Sequence, residues 1–236
     1  MKTFIFIFAR GGSKGLPGKN LKKIGDKTLV EHSINIAKEL RYDSEIIVST
    51  DSNEIGSIAE KQGVIYLKRP SIFAGDDSTE WSAWQHGVKW AYKNIGEFER
   101  FVTLPPTAPL RNEEDVYACV NALGNKYDLS VTYTKAKRSP WFNQVVRSDN
   151  KSLCLVSHKY KEDRKVYSRR QEAPSCYDMT TVAYAAKPKK ILMCDGLWDK
   201  RIKITGSEVP EERSIDIDNE IDYWIAVMLY ERRFVK

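Results

Sequence analysis

Two stretches far apart in the chain carry residue types suited to phosphate and metal chemistry. The first, Ala9-Arg10-Gly11-Gly12-Ser13-Lys14-Gly15-Leu16-Pro17-Gly18-Lys19-Asn20, follows an apolar run from Phe4 to Phe8 and sets Arg10, Lys14 and Lys19 among glycines. Glycine lets backbone amides approach a ligand closely, and three cations in one short loop suit a polyphosphate, with the Ser13 hydroxyl beside them. The second stretch, Ser214-Ile215-Asp216-Ile217-Asp218, alternates as a strand that would turn Asp216 and Asp218 to one side. Such a carboxylate pair suits a hard divalent cation, magnesium being the natural choice where phosphate oxygens complete the shell. The blander readings are a solvated turn for the first stretch and an edge-strand face or helix cap for the second. Asp222 lies one turn into the helix that follows and is not expected to be a ligand.

Two standard phosphate motifs do not describe the loop. A P-loop requires glycine at position 13 and serine or threonine at position 20, whereas the chain has Ser13 and Asn20, and Pro17 lacks an amide donor. The glycine spacing of a dinucleotide fingerprint is also missing.

The elements that must position these residues follow from periodicity. Phe4 to Phe8 is a strand leading into the loop, and Thr28 caps a helix running to Leu40. Glu45–Ser49 is a strand, followed by a helix capped near Asp51 or Ser52 and a strand at Val64–Leu67. A helix to about Lys93 carries Trp81, Trp84 and Trp90 on one face, expected as core rather than as a stacking platform. Arg100–Leu104 is a strand that runs into Pro105-Pro106-Thr107-Ala108-Pro109-Leu110-Arg111, too rigid for helix or central strand, and Asn112–Leu123 is a helix. Arg111 is expected to brace that loop.

Repeated strand–helix alternation predicts an α/β fold, a three-layer, doubly wound and mostly parallel sheet with helices on both faces. Ligands of such sheets bind beyond the strand C-termini, which brings the loops at 10–20, 69–79 and 105–111 to one rim. From Leu129 the crossover helices disappear, and the charged stretch Asp149–Arg170 interrupts the pattern. A single domain over 1–236 is expected, with a small β-rich excursion at about 135–180. Val182–Ala186 returns as strand, and Asn219–Arg232 closes as an amphipathic helix.

The chain has 236 residues, a formal charge of +6, and no apolar run approaching the ~20 residues of a spanning helix. Thr3–Ala9 is too short for a signal-peptide core, so a soluble, cytoplasmic protein is expected. Cys119, Cys154, Cys176 and Cys194 form no C-x-x-C pair and are expected as free thiols. Basic and acidic residues are interspersed, which favours an anionic small substrate over nucleic acid.

In family order, the chain carries the glycine loop with Lys19-Asn20, then Ser49-Thr50-Asp51, Arg69-Pro70, Pro106-Thr107-Ala108-Pro109-Leu110-Arg111, Arg170-Gln171, and Ser214-Ile215-Asp216-Ile217-Asp218. In these it resembles the acylneuraminate cytidylyltransferases, the CMP-sugar synthetases of nonulosonic acids. The resemblance implies transfer of CMP from CTP to the anomeric hydroxyl of a nine-carbon 2-keto sugar acid, with release of pyrophosphate. It also implies phosphate contacts from Arg10, Lys14 and Lys19 with Ser13 beside them, and cytidine contacts from Asn20 and Arg69. Magnesium would lie on Asp216 and Asp218, and Arg170 with Gln171 would face the sugar acid. A homodimer is implied, in which the excursion reaches a partner subunit. Pro105 stands where the family often has glutamine, and Lys137–Asn143 with Ala173–Met179 looks closer to members acting on legionaminic-type sugars. A nucleotide-sugar glycosyltransferase, whose aspartate pair usually lies mid-chain, and a nucleic-acid-binding module are the alternatives.

Overall fold

Alternation sets the first strand: Phe4 and Phe6 face one side, Ile5 and Ile7 the other, and all four are buried. In the computed structural model of the chain, which describes residues 1–75, 78–159 and 167–234, this strand, β1 (Thr3–Phe8), lies inside a seven-stranded sheet. The glycine loop then passes through one 3-10 turn, Lys19–Leu21, into a short hairpin of β2 (Lys23–Ile24) and β3 (Lys27–Thr28). Helix α1 (Leu29–Glu39) starts at a capping box: the Thr28 hydroxyl accepts from the Glu31 amide, and the Glu31 carboxylate accepts from the Thr28 amide.

The next elements fall close to where periodicity places them. They are β4 (Ser44–Thr50), α2 (Asn53–Lys61) capped by Ser52, β5 (Ile65–Lys68), and α3 (Glu80–Asn94) capped by Thr79. β6 (Arg100–Thr103) and α4 (Glu113–Leu123), opened by an Asn112–Asp115 capping box, complete the first half. The second half contains β7 (Leu129–Lys135), a hairpin of β8 (Val145–Arg147) and β9 (Leu153–Leu155), and α5 (Val156–Lys159). It continues with β10 (Tyr177–Ala186), α6 (Pro188–Met193), β11 (Ile204–Glu208) and α7 (Glu220–Phe234). The expected excursion at 135–180 lies partly outside the described residues.

The sheet order is β11-β7-β10-β6-β1-β4-β5. β1 is parallel to β4 and β6, β4 to β5, and β7 to β11, while β10 runs antiparallel to both its neighbours. α1, α2 and α4 cover the face carrying Ile5, Ile7, Val48 and Val102. α3 and α6 cover the face of Phe4, Phe6 and Phe101. This is the expected three-layer architecture. Trp81 and Trp84 are buried in the second layer, where the Trp81 indole donates to the Cys194 carbonyl at 2.8 Å, so these aromatics are core. Among the described residues no helix is long and apolar enough to cross a membrane.

One expected element is corrected. Ser214–Asp218 is not a strand: it is irregular and pairs with no strand of the sheet. Its alternation has another cause. Ile217 is buried with Leu16, Ile24, Leu29, Leu110 and Ala226, with Ile215 packed against the same cluster. The Ile217 amide donates to the Thr107 carbonyl at 2.8 Å. The apolar alternation in the sequence thus serves this separate small core, without a sheet ladder.

Candidate active site

A cavity of about 430 Å³ opens at the C-terminal rim of the sheet. Arg10, Ser13, Lys19 and Asn20 line it from the glycine loop, Arg69 from the end of β5, Pro105–Thr107 from the loop after β6, and Asp216 and Asp218 from the late segment. Residues from the three loops expected on one rim therefore meet, as the topology rule requires. The small core of Leu16, Leu110 and Ile217 takes one apolar residue from each of three site-bearing segments, tying them together from beneath.

Within the loop the glycines serve packing more visibly than ligand approach. A side chain at Gly15 would meet the Asp218 carbonyl at 2.3 Å, so only glycine allows the loop to lie against the aspartate segment. Gly18, at φ 64°, precedes the 3-10 turn in a left-handed conformation. The Gly11 amide donates to Asp51 Oδ1 at 2.8 Å, which explains a role for the Ser-Thr-Asp run in holding the loop. Lys19 Nζ lies 3.0 Å from Asp218 Oδ1, joining the two stretches singled out in the sequence across 199 positions.

Asp216 and Asp218 differ in environment. Asp218 is exposed, whereas Asp216 Oδ1 is buried without a hydrogen-bond partner. Burial raises the Asp216 carboxyl above its usual range, hydrogen bonding from Thr107 opposes that rise, and Asp218 adds repulsion. A desolvated carboxylate oxygen lacking a donor, beside a second carboxylate, fits a divalent cation. No group of three or more His, Cys, Asp or Glu suited to a metal is found among the described residues, so a cation here would draw its remaining ligands from phosphate oxygens and water. Asp222 is committed elsewhere: its carboxylate accepts from the amides of Asp218 and Asn219. The segment is also clamped from upstream, where the Arg213 guanidinium grips the buried Asp115 carboxylate at 2.7 and 2.8 Å.

Arg69 is buried, donates through Nε to Ser49 Oγ at 3.1 Å, and lies 5.5 Å from the centre of the Phe8 ring. Burial brings its guanidinium down to about 10, with Asp51 opposing the shift. Asn20 is also buried, and its amide donates to the Arg10 carbonyl at 2.9 Å, so part of its hydrogen bonding closes the loop on itself. Arg111 is a brace, as expected, donating to Ser33 Oγ at 2.8 Å and to the Pro105 carbonyl.

Three expected site residues lie outside this cavity. Lys14 is not part of its lining, and Arg170 and Gln171 line a separate cavity of about 190 Å³ with Lys137, Arg138 and Cys176. That cavity shares Lys137 with a third one, which Asp216 lines. Conversely, the rim gains Phe8, Glu80 and Thr181, to which sequence reading assigned no role. Glu80 follows the α3 cap, a recognisable position. Thr181 reaches the rim where β10 slips register between Thr180 and Tyr184, an irregularity without a local signal.

Residues 4–206 match the cytidylyltransferase family. The chain belongs to that family. Within it, the cytidylyltransferase falls in the CMP-nonulosonic acid synthetase group. It is 33% identical over 227 residues to CMP-N,N'-diacetyllegionaminic acid synthase of Campylobacter jejuni, covering 94% of this chain and 92% of that one. It is 31% identical over 231 residues to post-translational flagellin modification protein B of Campylobacter coli, covering 96% and 94%. Its fold matches that of a CMP:2-keto-3-deoxy-manno-octonic acid synthetase solved with CTP, at a TM-score of 0.69 and 17% identity over 99% of this chain and 100% of that one. The protein is therefore a nucleotidyltransferase enzyme, with CTP as its nucleotide substrate. That membership removes the glycosyltransferase alternative.

Proposed function

We propose that this cytidylyltransferase joins CMP to the anomeric hydroxyl of a nonulosonic sugar acid. The observation that carries the reading is the position of Asp216, which lines both the loop cavity and a second cavity of about 200 Å³ bounded by Lys135, Lys137, Asp178 and Met179. Triphosphate in the first cavity and sugar acid in the second would meet across this carboxylate. The sugar hydroxyl oxygen then attacks the α-phosphorus, the bond to the bridging α–β oxygen breaks, and pyrophosphate departs while the hydroxyl proton is released.

Arg10 and Lys19 would hold the triphosphate, with Ser13 beside them and Lys14 adding positive field from the same loop. Arg69 and Asn20 would hold the cytidine. A divalent cation, magnesium by preference, would be held by Asp216 and Asp218 and would neutralise charge developing on the phosphates. Lys19 is poised for this, because its partner Asp218 is also the exposed member of the metal pair. On the acceptor side, Lys135 suits a carboxylate, while Lys137 is paired with Glu211 of the same lining.

Arg170 and Gln171 would act on the site of a second subunit, which accounts for their lining a cavity other than that of the triphosphate loop. A homodimer is further supported by α7, which exposes Ile221, Trp224, Ile225 and Met228 as one apolar stripe, and Ile225 borders the second cavity. Sedimentation measures the assembly directly; a monomer at assay concentration would exclude a site shared between subunits.

The activity is tested by incubating the protein with CTP, magnesium and a panel of nonulosonic acids, legionaminic-type acids first because of the similarity to the Campylobacter jejuni enzyme. Pyrophosphate release with at least one member is expected. CTP binding without release for any member would overturn the acceptor class.

A further inference from the structure

A second concentration of positive charge lies away from the catalytic rim, between α1, α7 and the Pro109–Arg111 turn. It surrounds a cavity of about 270 Å³ whose lining includes Lys27, His32, Arg111 and Arg233, with Glu39 as the only carboxylate among the described lining residues. Arg111 is 3% exposed and its Nε is buried without a hydrogen-bond partner, although its other nitrogens bond to Ser33 and Pro105. No carboxylate bonds it directly; Asp115 and Asp216 favour its charge through space, but burial outweighs them, so a further anion would stabilise it. Arg233 donates to the Leu110 carbonyl at 2.7 Å, which fixes its guanidinium at the same turn. His32 Nε2 lies 2.9 Å from the Ile24 carbonyl, and its ring meets Tyr230 edge-on. Among the described residues, Lys27 forms an ion pair with its exposed neighbour Asp26, which is not in the lining.

We propose that this cavity binds a phosphate-type oxyanion, free phosphate or pyrophosphate, between Lys27, His32, Arg111 and Arg233. Its size admits either ion, and three guanidinium or ammonium groups from separate elements converge there against one carboxylate. The lowered basicity of Arg111, at about 9, and of Arg233 has burial as its main cause in both cases, the condition an anion would relieve. Arg111 links the two cavities: it lines this one and grips the carbonyl of Pro105, which lines the catalytic one. The site rests on charge and packing around Arg111 and does not depend on the identity of the sugar acceptor.

The chain has three histidines, so their imidazole NMR signals provide a direct test. His32 reports on this cavity, while His86 stacks on Phe73, which lines the catalytic cavity. With saturating CTP present, phosphate and pyrophosphate are titrated separately into the full chain at constant ionic strength, and His32→Asn assigns the signal. A saturable shift of the His32 signal with either ion, leaving His86 in place, is expected, and the tighter ion identifies the source. Arg233→Glu and Lys27→Glu should each weaken it by about tenfold or more, since each replaces a charge-assisted contact with repulsion. The proposal is overturned by an unmoved His32 signal, by a shift that only accompanies His86, by the same shift with chloride, or by equal affinity in folded forms of both variants.

Discussion

Asp216 holds two unfavourable conditions at once, a buried oxygen without a donor and a second carboxylate two residues away. Substituting Asp216→Asn removes the charge while keeping the shape. Turnover at saturating CTP is expected to fall at least about a hundredfold, the scale of losing one electrostatic stabiliser of the transition state. The unfolding midpoint without ligand should be unchanged or higher, because the desolvated charge is gone. Loss of activity with a lower midpoint would instead mark Asp216 as structural. His32 gives a prediction of opposite chemistry. Burial lowers its pKa from 6.5, with the Ile24 carbonyl opposing the shift, so the folded state resists protonation. The associated stability is fully present above pH 6.5 and is lost as pH falls from there through the lower folded value. Thermal unfolding at pH 7.5 and 5.5 should show a smaller acid loss in His32→Asn than in the parent protein.

At the scale of elements, the site depends on one irregular segment being held against one loop. Gly15 is where they touch: a methyl group there would run into the Asp218 backbone at 2.3 Å, and backbone atoms cannot swing aside as a flexible side chain would. Gly15→Ala should therefore cost about 1–3 kcal/mol of stability, as overpacking does. It should also reduce kcat by moving Lys19 relative to Asp218. Denaturant unfolding with steady-state kinetics checks both effects, and a variant of normal stability and rate would show that the contact is dispensable. The same scale explains why the late aspartates read as a strand. Ile215 and Ile217 alternate because they pack on a small core shared with Leu16 and Leu110, and the Arg213–Asp115 fork sets the entry of the segment. Periodicity reports burial, and it does not report which partner supplies it.

For the whole molecule, the sheet carries the cavity on its C-terminal rim, and the charges that line it come from the glycine loop, from Arg69 and Glu80, and from the late aspartate segment. A ligand that binds only this folded arrangement stabilises it, so ligand and folding are coupled. Magnesium and CTP together, at about one hundred times the dissociation constant, should add about 2.7 kcal/mol and raise the unfolding midpoint by about 5–10 °C. Magnesium alone should add much less, because the aspartate pair without phosphate oxygens offers too few ligands. Equal stabilisation by magnesium with and without CTP would mean that the metal binds elsewhere.

The sequence by itself determined the class of fold, the shared rim and the family. The alternation of Phe4 to Phe8, the capping boxes at Thr28 and Asn112, and the cluster of glycine and cation after β1 are local signals, written within a few residues of where they act. Strand–helix alternation then required the loops after β1, β5 and β6 to share one edge. The tertiary structure alone decided that Lys19 meets Asp218, that Gly15 is needed for a backbone contact, and that Asn20 spends a hydrogen bond on its own loop. It also placed Arg170 and Gln171 outside the loop cavity and brought Thr181 to the rim through a slipped register. These features depend on distances between residues far apart in the chain, which packing sets and no local pattern encodes.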